Sequence, residues 1–195
     1  MTIKVGINGF GRIGRCTLSH ISASLRDDIE VVKLNATGPL STAAHLIRYD
    51  SVHGRFPAEI TIDEDKGIIN LGRNDIEVMS TYNLDELDWT GCDVVLECTG
   101  QFNDGNKANV HLERGAGRVL LSAPGKNVDR TVVYGVNHDT LEASDRMVSN
   151  GSCTTNCLAP LAKVMHESVG IESGLMTTIH SYPGDQPTLA RRHKD

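Results

Sequence analysis

The sequence carries no excess of basic residues and no long apolar run. Its 195 residues include 19 Lys and Arg against 25 Asp and Glu, which gives a formal net charge of −6. Surfaces that bind nucleic acid need the opposite balance, so we expect no nucleic-acid partner. No apolar stretch approaches the roughly 20 residues that cross a bilayer, so we expect no membrane association.

The sequence also lacks a regular cysteine framework. Five cysteines, an odd number spread along the chain, are typical of reduced thiols in the cytoplasm rather than of structural disulfides. Residues 2–8 have the character of a strand and not of a signal peptide. Cys153 and Cys157 have helical i, i+4 spacing, but no second Cys or His pair at ligand spacing accompanies them. We therefore expect a cytoplasmic protein without a metal.

A glycine-rich loop between a strand and a helix is the first positive signal. The apolar run Thr2–Asn8 leads into Gly9-x-Gly11-x-x-Gly14, which opens a helical stretch, and a second strand follows at 30–34. In the dinucleotide fingerprint the first glycine permits a tight turn and the second lets the pyrophosphate approach the backbone. The third lets the helix pack on the strand. Because the flanking elements also fit, we predict a dinucleotide cofactor here.

Strands and helices alternate through the first 150 residues, with no internal repeat. This alternation predicts an α/β fold with a doubly wound, mostly parallel sheet of the Rossmann type. Beyond the first unit, we predict helices at 42–49 and 105–115 and strands at 59–62, 68–71, 76–79, 93–98, 118–121 and 131–136. The pattern changes near Ser149. We therefore predict a dinucleotide-binding domain over 1–150, followed over 151–195 by the beginning of an α+β catalytic domain, itself incomplete.

The second segment carries a candidate nucleophile. We predict a helix over 154–168, in which Pro160 either causes a kink or delays the start, and a strand from Leu175 to His180. Cys153 lies among small polar residues where the helix begins, and the positive end of a helix dipole stabilises a thiolate. Cys153 and His180 would be the minimal pair for covalent catalysis. A cysteine near a helix start is also often a small buried apolar residue, and the pattern leaves that alternative open.

The end of the second strand departs from the dinucleotide fingerprint. An acidic residue there usually binds the adenine ribose hydroxyls, but this chain has Asn35-Ala36-Thr37-Gly38. Either Asn35 takes over that role for NAD, or the missing carboxylate makes room for the 2′-phosphate of NADP. NAD and NADP both stay open at this point, and we expect NADP to be accepted.

Six segments with recognisable motifs follow one another along all 195 residues: Val5–Arg15, Tyr49–Gly54, Glu97–Gly100, Gly135–His138, Ser152–Cys157 and Thr177–Tyr182. Together they resemble the glyceraldehyde-3-phosphate dehydrogenase family, in its phosphorylating, bacterial type. Erythrose-4-phosphate dehydrogenases share the cysteine motif but usually lack the Ser-Tyr pair that here follows His180.

The resemblance implies a glycolytic reaction in which glyceraldehyde 3-phosphate, inorganic phosphate and NAD(P)+ give 1,3-bisphosphoglycerate and NAD(P)H. Cys153 would attack the aldehyde, with His180 as the base, and phosphate would cleave the resulting thioester. Ser152 and Thr154 would help to bind that phosphate. The family is tetrameric, so the completed chain is expected to form a homotetramer. The cofactor-binding residues would be Gly9, Gly11, Arg12, Ile13, Gly14, Asn35, Ala36, Thr99, Gly100 and Ser122.

Three positions depart from the family pattern. Pro183 stands where threonine usually binds the substrate's phosphate, Ala36 replaces the usual Asp, and Arg191-Arg192 replaces a Leu-Pro pair of many NAD-specific members. A dehydrogenase for erythrose 4-phosphate or another phosphorylated aldehyde therefore stays open, as does a non-catalytic dinucleotide-binding protein. Because the chain stops before the arginine that completes the family's substrate site, we expect residues 1–195 alone to turn over negligibly.

Overall fold

A computed structural model describes residues 2–180 of the chain. Within these residues the fold is organised around a nine-stranded sheet. The helices and strands, in chain order, are β1 (Ile3–Asn8), α1 (Arg12–Ala23), β2 (Ile29–Asn35), α2 (Leu40–Arg48), β3 (Tyr49–Asp50), β4 (Gly54–Arg55), β5 (Thr61–Asp63), β6 (Ile68–Asn70), β7 (Asp75–Met79), β8 (Val94–Glu97), α3 (Gly105–Glu113), β9 (Arg118–Leu121), β10 (Arg130–Thr131), β11 (Met147–Ser149) and α4 (Cys153–Val169). Short 3-10 helices occupy Leu84–Glu86 and His138–Thr140.

The strand order of the large sheet is β10-β11-β9-β8-β1-β2-β7-β6-β5. The first seven of these strands run parallel, and the β5–β6 hairpin adds an antiparallel edge. From β1 the chain winds outward through β2 to β7, then returns to the other side of β1 at β8. This doubly wound, mostly parallel sheet confirms the Rossmann-type prediction.

Two apolar clusters hold the helices against the sheet. The first packs α1 and α2 on β1 and β2 through buried side chains that include Ile7, Leu18, Leu34 and Ile47. The second lies around β8, β9 and α3 and includes Trp89, Val95, Ala108 and Leu121. Because both clusters pack against the central strands, the carboxyl ends of β1, β2 and β8 are held at fixed positions.

At the far edge of the sheet, one strand prediction is wrong and one strand was not predicted. The predicted strand over 131–136 reduces to β10, Arg130–Thr131, because the chain turns back on itself just after it. The N–H groups of Val136 and Asn137 donate to Val133 O, and Asn137 Oδ1 accepts from Val133 N. The strand that pairs between β9 and β10 is β11, which the sequence analysis missed. Its three residues are all buried, so no alternation marks it.

The second segment differs from prediction in two further ways. Helix α4 begins at Cys153 and runs through Pro160, so the delayed start is wrong. Pro160 merely leaves the carbonyl of Asn156 without its helical N–H donor. The predicted strand from Leu175 to His180 is also wrong, because residues 175–180 have no regular structure and are exposed. Within residues 2–180 this stretch has no neighbouring strand to complete its backbone hydrogen bonds.

Several sequence positions of interest fall outside the described residues. These are Ser181 and Tyr182 of the last resemblance segment, and the departures Pro183, Arg191 and Arg192. All five cysteines lie within residues 2–180, where each is a free thiol. Among the helices described, none combines the length and the apolar character needed to cross a bilayer.

Candidate dinucleotide and thiol site

The glycine loop lies at the topological switch point of the sheet. The chain leaves β1 at Asn8 toward β2 on one side, and β8 ends at Glu97 on the other side of the same strand. Doubly wound sheets bind ligands in the crevice outside the carboxyl ends of such strands. Gly9, Gly11 and Gly14 therefore surround the place where the fold itself favours a ligand.

Each glycine of the loop meets a different physical constraint. Gly9 has a φ of +102°, and a Cβ there would lie 2.8 Å from Thr99 N. A Cβ on Gly14 would lie 2.0 Å from Gly9 O, so α1 can sit this close to the loop only without a side chain. A Cβ on Gly11 would meet nothing within 4 Å, so Gly11 faces open space.

The N-terminus of α1 is suited to an anion. Its N-cap, Gly11, supplies no side-chain acceptor, and no acidic residue lies in the first turn. The N–H groups of Arg12, Ile13 and Gly14 therefore point out of the helix without an intrahelical acceptor. A pyrophosphate approaching over Gly11 would meet these donors and the positive end of the helix dipole. The residues present therefore fit a dinucleotide.

Arg12 is oriented by residues that the sequence analysis did not assign. Its guanidinium donates to Asp50 through Nη1, and its Nη2 lies 3.0 Å from His53 Nδ1. Partial burial raises the pKa of Asp50, but hydrogen bonds from Arg12 and from the backbone N–H groups of Val52 and His53 outweigh it. Together they hold the pKa of that carboxyl far below its usual range. Asp50 is therefore ionised and fixes the direction of the arginine.

Asp50 and His53 also lie close to a cysteine. Ligand atoms of Cys16, Asp50 and His53 fall within 4.8 Å of one another. A cation placed among them would compete with the guanidinium of Arg12, which already contacts both Asp50 and His53. A cavity of about 500 Å³ opens beside this cluster, between α1 and residues 50–57. It is separate from the crevice, because the three glycines and Thr99 do not line it.

The remaining cofactor candidates lie along the same carboxyl edge. Ile13 and Gly100 are exposed, while Thr99 is half-buried directly beneath Gly9. Ser122 follows β9, where its N–H donates to Glu97 O at 3.1 Å. The fold thus brings these four residues to one edge, as a cofactor-binding role requires.

Asn35 and Ala36, at the carboxyl end of β2, are both buried. The Asn35 amide donates to Asn8 Oδ1 at 2.8 Å and to Thr81 O at 3.0 Å, and its Oδ1 accepts from Thr81 N. Ala36 is 2% exposed and belongs to the first apolar cluster. Both amide hydrogens of Asn35 are therefore engaged within the protein, which argues against this side chain as the substitute for the missing ribose carboxylate.

Helix α4 places Cys153 at its first turn, close to the same edge. Asn150 N donates to Leu121 O, and Ser149 Oγ donates to Ala123 O, so the chain entering α4 is tied to the loop that contains Ser122. Ser152 is the N-cap, and its Oγ accepts from Thr155 N at 2.9 Å. The hydroxyl predicted to bind phosphate is thus already engaged in capping the helix.

His180 comes near the helix start without bonding to the thiol. Its Nε2 lies 3.5 Å from Thr154 Oγ1 and 2.9 Å from Thr178 Oγ1. Within residues 2–180, none of its hydrogen bonds reaches Cys153 Sγ. The predicted partners are therefore neighbours through Thr154, and their pairing stays a prediction.

The other thiols near the sheet are not suited to nucleophilic attack. Burial raises the pKa of Cys98 to about 11, despite an opposing hydrogen bond with Ser122. Burial likewise raises the pKa of Cys92 to about 11. Both thiols stay protonated near neutral pH, whereas Cys153 and Cys157 are exposed on α4.

We expect iodoacetamide to alkylate Cys153 about three to ten times faster than Cys157 near neutral pH. Both thiols are exposed, but only Cys153 lies in the first turn, where the helix dipole stabilises an anion by about 0.3–1 kcal/mol and by up to about 2 in favourable geometries. Site-resolved mass spectrometry gives both rates in one sample, and Cys157→Ser serves as the control that should leave the Cys153 rate unchanged. Equal alkylation rates at Cys153 and Cys157 would contradict the assignment of Cys153 as the more reactive thiol.

Comparison with known proteins identifies the family. Residues 3–105 match the family model described as glyceraldehyde 3-phosphate dehydrogenase, NAD binding domain, and residues 152–195 match its C-terminal domain. The chain is similar over its whole length to glyceraldehyde-3-phosphate dehydrogenases of Cereibacter sphaeroides, at 59% identity, and Xanthobacter flavus, at 57%. It is 48% identical to glyceraldehyde-3-phosphate dehydrogenase 2 of Bacillus subtilis. The chain spans only 57–58% of the length of these relatives. The first match covers more than half of the 195 residues, and the chain belongs to the glyceraldehyde-3-phosphate dehydrogenase family.

Proposed function

We propose that the complete polypeptide is a phosphorylating glyceraldehyde-3-phosphate dehydrogenase that forms a thioester on Cys153. The observation that supports this most directly is the position of Cys153 at the start of α4. Hydrogen bonds from Ser149 and Asn150 tie that start to the loop after β9, at the edge where the glycine loop also lies. A nucleophile and a dinucleotide site at one edge are what oxidation of a covalently held aldehyde requires.

The chemistry proceeds on the sulfur of Cys153. The thiolate attacks the aldehyde carbon of glyceraldehyde 3-phosphate, and protonated His180 gives its proton to the resulting oxyanion to form a thiohemiacetal. His180 then takes the hydroxyl proton back as the hydride leaves. A nicotinamide ring bound in the crevice would supply the hydride acceptor, and loss of the hydride from this carbon leaves a thioester on Cys153. An oxygen of inorganic phosphate then attacks the thioester carbon and expels the Cys153 thiolate. The product, the acyl phosphate 1,3-bisphosphoglycerate, leaves the site. Ser152 and Thr154 are proposed to bind that phosphate, for which the Ser152 hydroxyl would retain its capping bond and donate its own proton.

The chain's own groups hold the cofactor in this proposal. The N–H groups of the first turn of α1 bind the pyrophosphate over Gly11, and Arg12, fixed by Asp50, stands beside them. Thr99 and Gly100, which follow β8, and Ser122, which follows β9, complete the cofactor site in this proposal. The proposal also includes a cytoplasmic homotetramer, on the strength of the family resemblance.

We expect the protein to bind NADP at least as well as NAD, because residues 35–38 offer no carboxylate to repel a 2′-phosphate. Ala36→Asp should shift the ratio of the two dissociation constants at least tenfold toward NAD. Ala36→Asn is the control of equal size without the charge, and it should shift the ratio little. Fluorescence titration of each variant with both cofactors measures this. A polar group in place of the buried Ala36 also lowers the stability of the protein. Because both dissociation constants are measured on the same variant, this loss affects them equally and drops out of their ratio.

Two results of the titration contradict the cofactor assignment. One is a wild-type preference for NAD over NADP of more than tenfold, or about 1.4 kcal/mol. The other is an equal shift by Ala36→Asp and Ala36→Asn, which would show that size rather than charge acts at this position.

The function itself is tested by following NAD(P)H absorbance with the complete polypeptide. NAD(P)H formation should require both glyceraldehyde 3-phosphate and inorganic phosphate. When erythrose 4-phosphate replaces glyceraldehyde 3-phosphate, NAD(P)H should form more slowly. A higher kcat/KM for erythrose 4-phosphate would support the alternative substrate. No NAD(P)H with either aldehyde, from a protein that binds the cofactor, would support a non-catalytic dinucleotide-binding protein.

A further inference from the structure

A buried carboxylate lies directly beneath the candidate dinucleotide crevice. Glu97, the last residue of β8, is 1% exposed. Its Oε2 accepts from Asn8 Nδ2 at 2.6 Å and lies 2.9 Å from His111 Nε2. Its Oε1 accepts from Thr99 N at 2.7 Å and from the Thr99 hydroxyl. The carboxylate therefore has four hydrogen-bond partners, two on each oxygen.

The partners fix the protons of this network. Trp89 Nε1 lies 3.0 Å from His111 Nδ1, and an indole N–H can only donate. The neutral ring of His111 therefore carries its proton on Nε2 and donates it to Glu97. Every group that faces the carboxylate is then a donor, so Glu97 accepts all four bonds as an anion.

An anion buried among neutral donors is an expensive feature of a fold. Within residues 2–180, His111 is the only basic side chain that lies within ion-pair distance of Glu97, and its Nδ1 accepts rather than carries a proton. Desolvating a carboxylate costs several kcal/mol even when hydrogen bonds offset part of it. Stability alone does not account for such a group, because apolar side chains in place of the whole hydrogen-bonded network would fill the space at lower cost.

The network reaches the loops that are proposed to hold the cofactor. On one side it holds Thr99, against which the backbone of Gly9 packs so closely that a Cβ on Gly9 would lie 2.8 Å from Thr99 N. On the other side Asn8 links Glu97 to Asn35, whose amide bonds with Thr81 beyond the end of β7. One carboxylate thus connects the carboxyl ends of β8, β1 and β2.

We propose that Glu97 is a positioning residue for dinucleotide binding. Its carboxylate sets the orientation of Thr99, and hence of the Gly9 turn, and through Asn8 it sets the separation between that turn and the Asn35 side of the crevice. Glu97 does not touch the cofactor in this arrangement. The inference rests on the proposed dinucleotide site and deepens it.

Glu97→Gln is a sharp test because the amide cannot satisfy all four donors. If its NH2 faces Thr99, the Thr99 N–H loses its acceptor. If its NH2 faces the other pair, Asn8 must flip and lose its bond to Asn35, and His111 must shift its proton and lose its bond to Trp89. Either outcome disturbs a loop of the crevice while the side-chain volume stays the same.

We expect Glu97→Gln to raise the dissociation constants for NAD and NADP at least tenfold, measured by titration at a temperature where the variant is folded. Ile7→Val is the matched control: it removes one methylene from a buried β1 residue, next to Asn8, that has no polar group. It should lower the thermal midpoint while changing the dissociation constants less than twofold. Trp89 donates to His111, which bonds to Glu97, so tryptophan emission should differ between Glu97→Gln and wild type without cofactor.

The outcomes separate this inference from the proposed function. If wild type binds and Glu97→Gln binds within twofold of it, the positioning role is wrong and the proposed function stands. If wild type binds neither NAD nor NADP, the positioning role of Glu97 and the proposed function are both wrong. If Glu97→Gln does not fold, Asn8→Ala decides, since it removes the link to Asn35 and keeps the carboxylate: tenfold weaker binding supports the role, and unchanged binding overturns it.

Discussion

Replacing Cys153 with serine is expected to lower kcat of the complete polypeptide by about 10³-fold or more, on the scale seen when a catalytic nucleophile is removed. A serine hydroxyl at the start of α4 is not ionised near neutral pH, and the thioester on which the proposed reaction depends cannot form. Cofactor affinity should change little, because Cys153 belongs to α4 and the pyrophosphate is proposed to bind at α1.

Cys157→Ser is the matched control for this prediction. The same chemical change is made one helical turn further along the same helix, on a side chain that is also exposed. It should retain most of the wild-type kcat. A Cys153→Ser protein that keeps more than a tenth of the wild-type kcat, or a Cys157→Ser protein that loses as much as Cys153→Ser, would contradict the assignment of the nucleophile.

Gly14→Ala is expected to destabilise the protein by about 3 kcal/mol, at the upper end of typical overpacking effects. The added Cβ would lie 2.0 Å from Gly9 O, a backbone atom, so α1 must move away from the loop. For a chain of 195 residues the loss corresponds to a fall of about 6–12 °C in Tm. Thermal unfolding followed by circular dichroism measures the change.

Gly11→Ala separates packing from binding in the same loop. Its Cβ meets no atom within 4 Å, and its φ of −74° suits alanine, so the stability should fall by less than about 1 kcal/mol. The methyl group enters the space over which the pyrophosphate is proposed to approach, so the dissociation constant for NAD should rise at least tenfold. An unchanged Tm for Gly14→Ala, or unchanged NAD binding for Gly11→Ala, would contradict the role given to that glycine.

The parts of the fold that sequence reasoning predicted are those with local causes. The strand, glycine loop and helix from Ile3 to Ala23 each have their signal within a few residues, and β9 was predicted with its observed ends, Arg118–Leu121. The errors arise where pairing with a neighbouring strand, and not the local sequence, determines whether a segment forms a strand. Strand β11 has three buried residues and no alternation, and residues 175–180 look like a strand but have none beside them within residues 2–180.

The candidate site shows the same division between local and long-range causes. The glycines and Cys153 could be chosen because each lies in a motif of its own. Asp50 lies 38 residues from the Arg12 it orients, and Glu97 lies 89 residues from Asn8, so nothing local connects either pair. Asp50 and Glu97 did fall inside segments that resemble the family, and that was the signal available for finding them.

The most direct test of the account is to trap the covalent intermediate. The complete polypeptide is mixed with glyceraldehyde 3-phosphate and the cofactor it binds, without inorganic phosphate, and the peptide containing Cys153 is examined by mass spectrometry. The account predicts a 3-phosphoglyceroyl group on Cys153, about one NAD(P)H formed per chain, and loss of the group when phosphate is added. Steady turnover without a modified Cys153, or the acyl group on another cysteine, would contradict it.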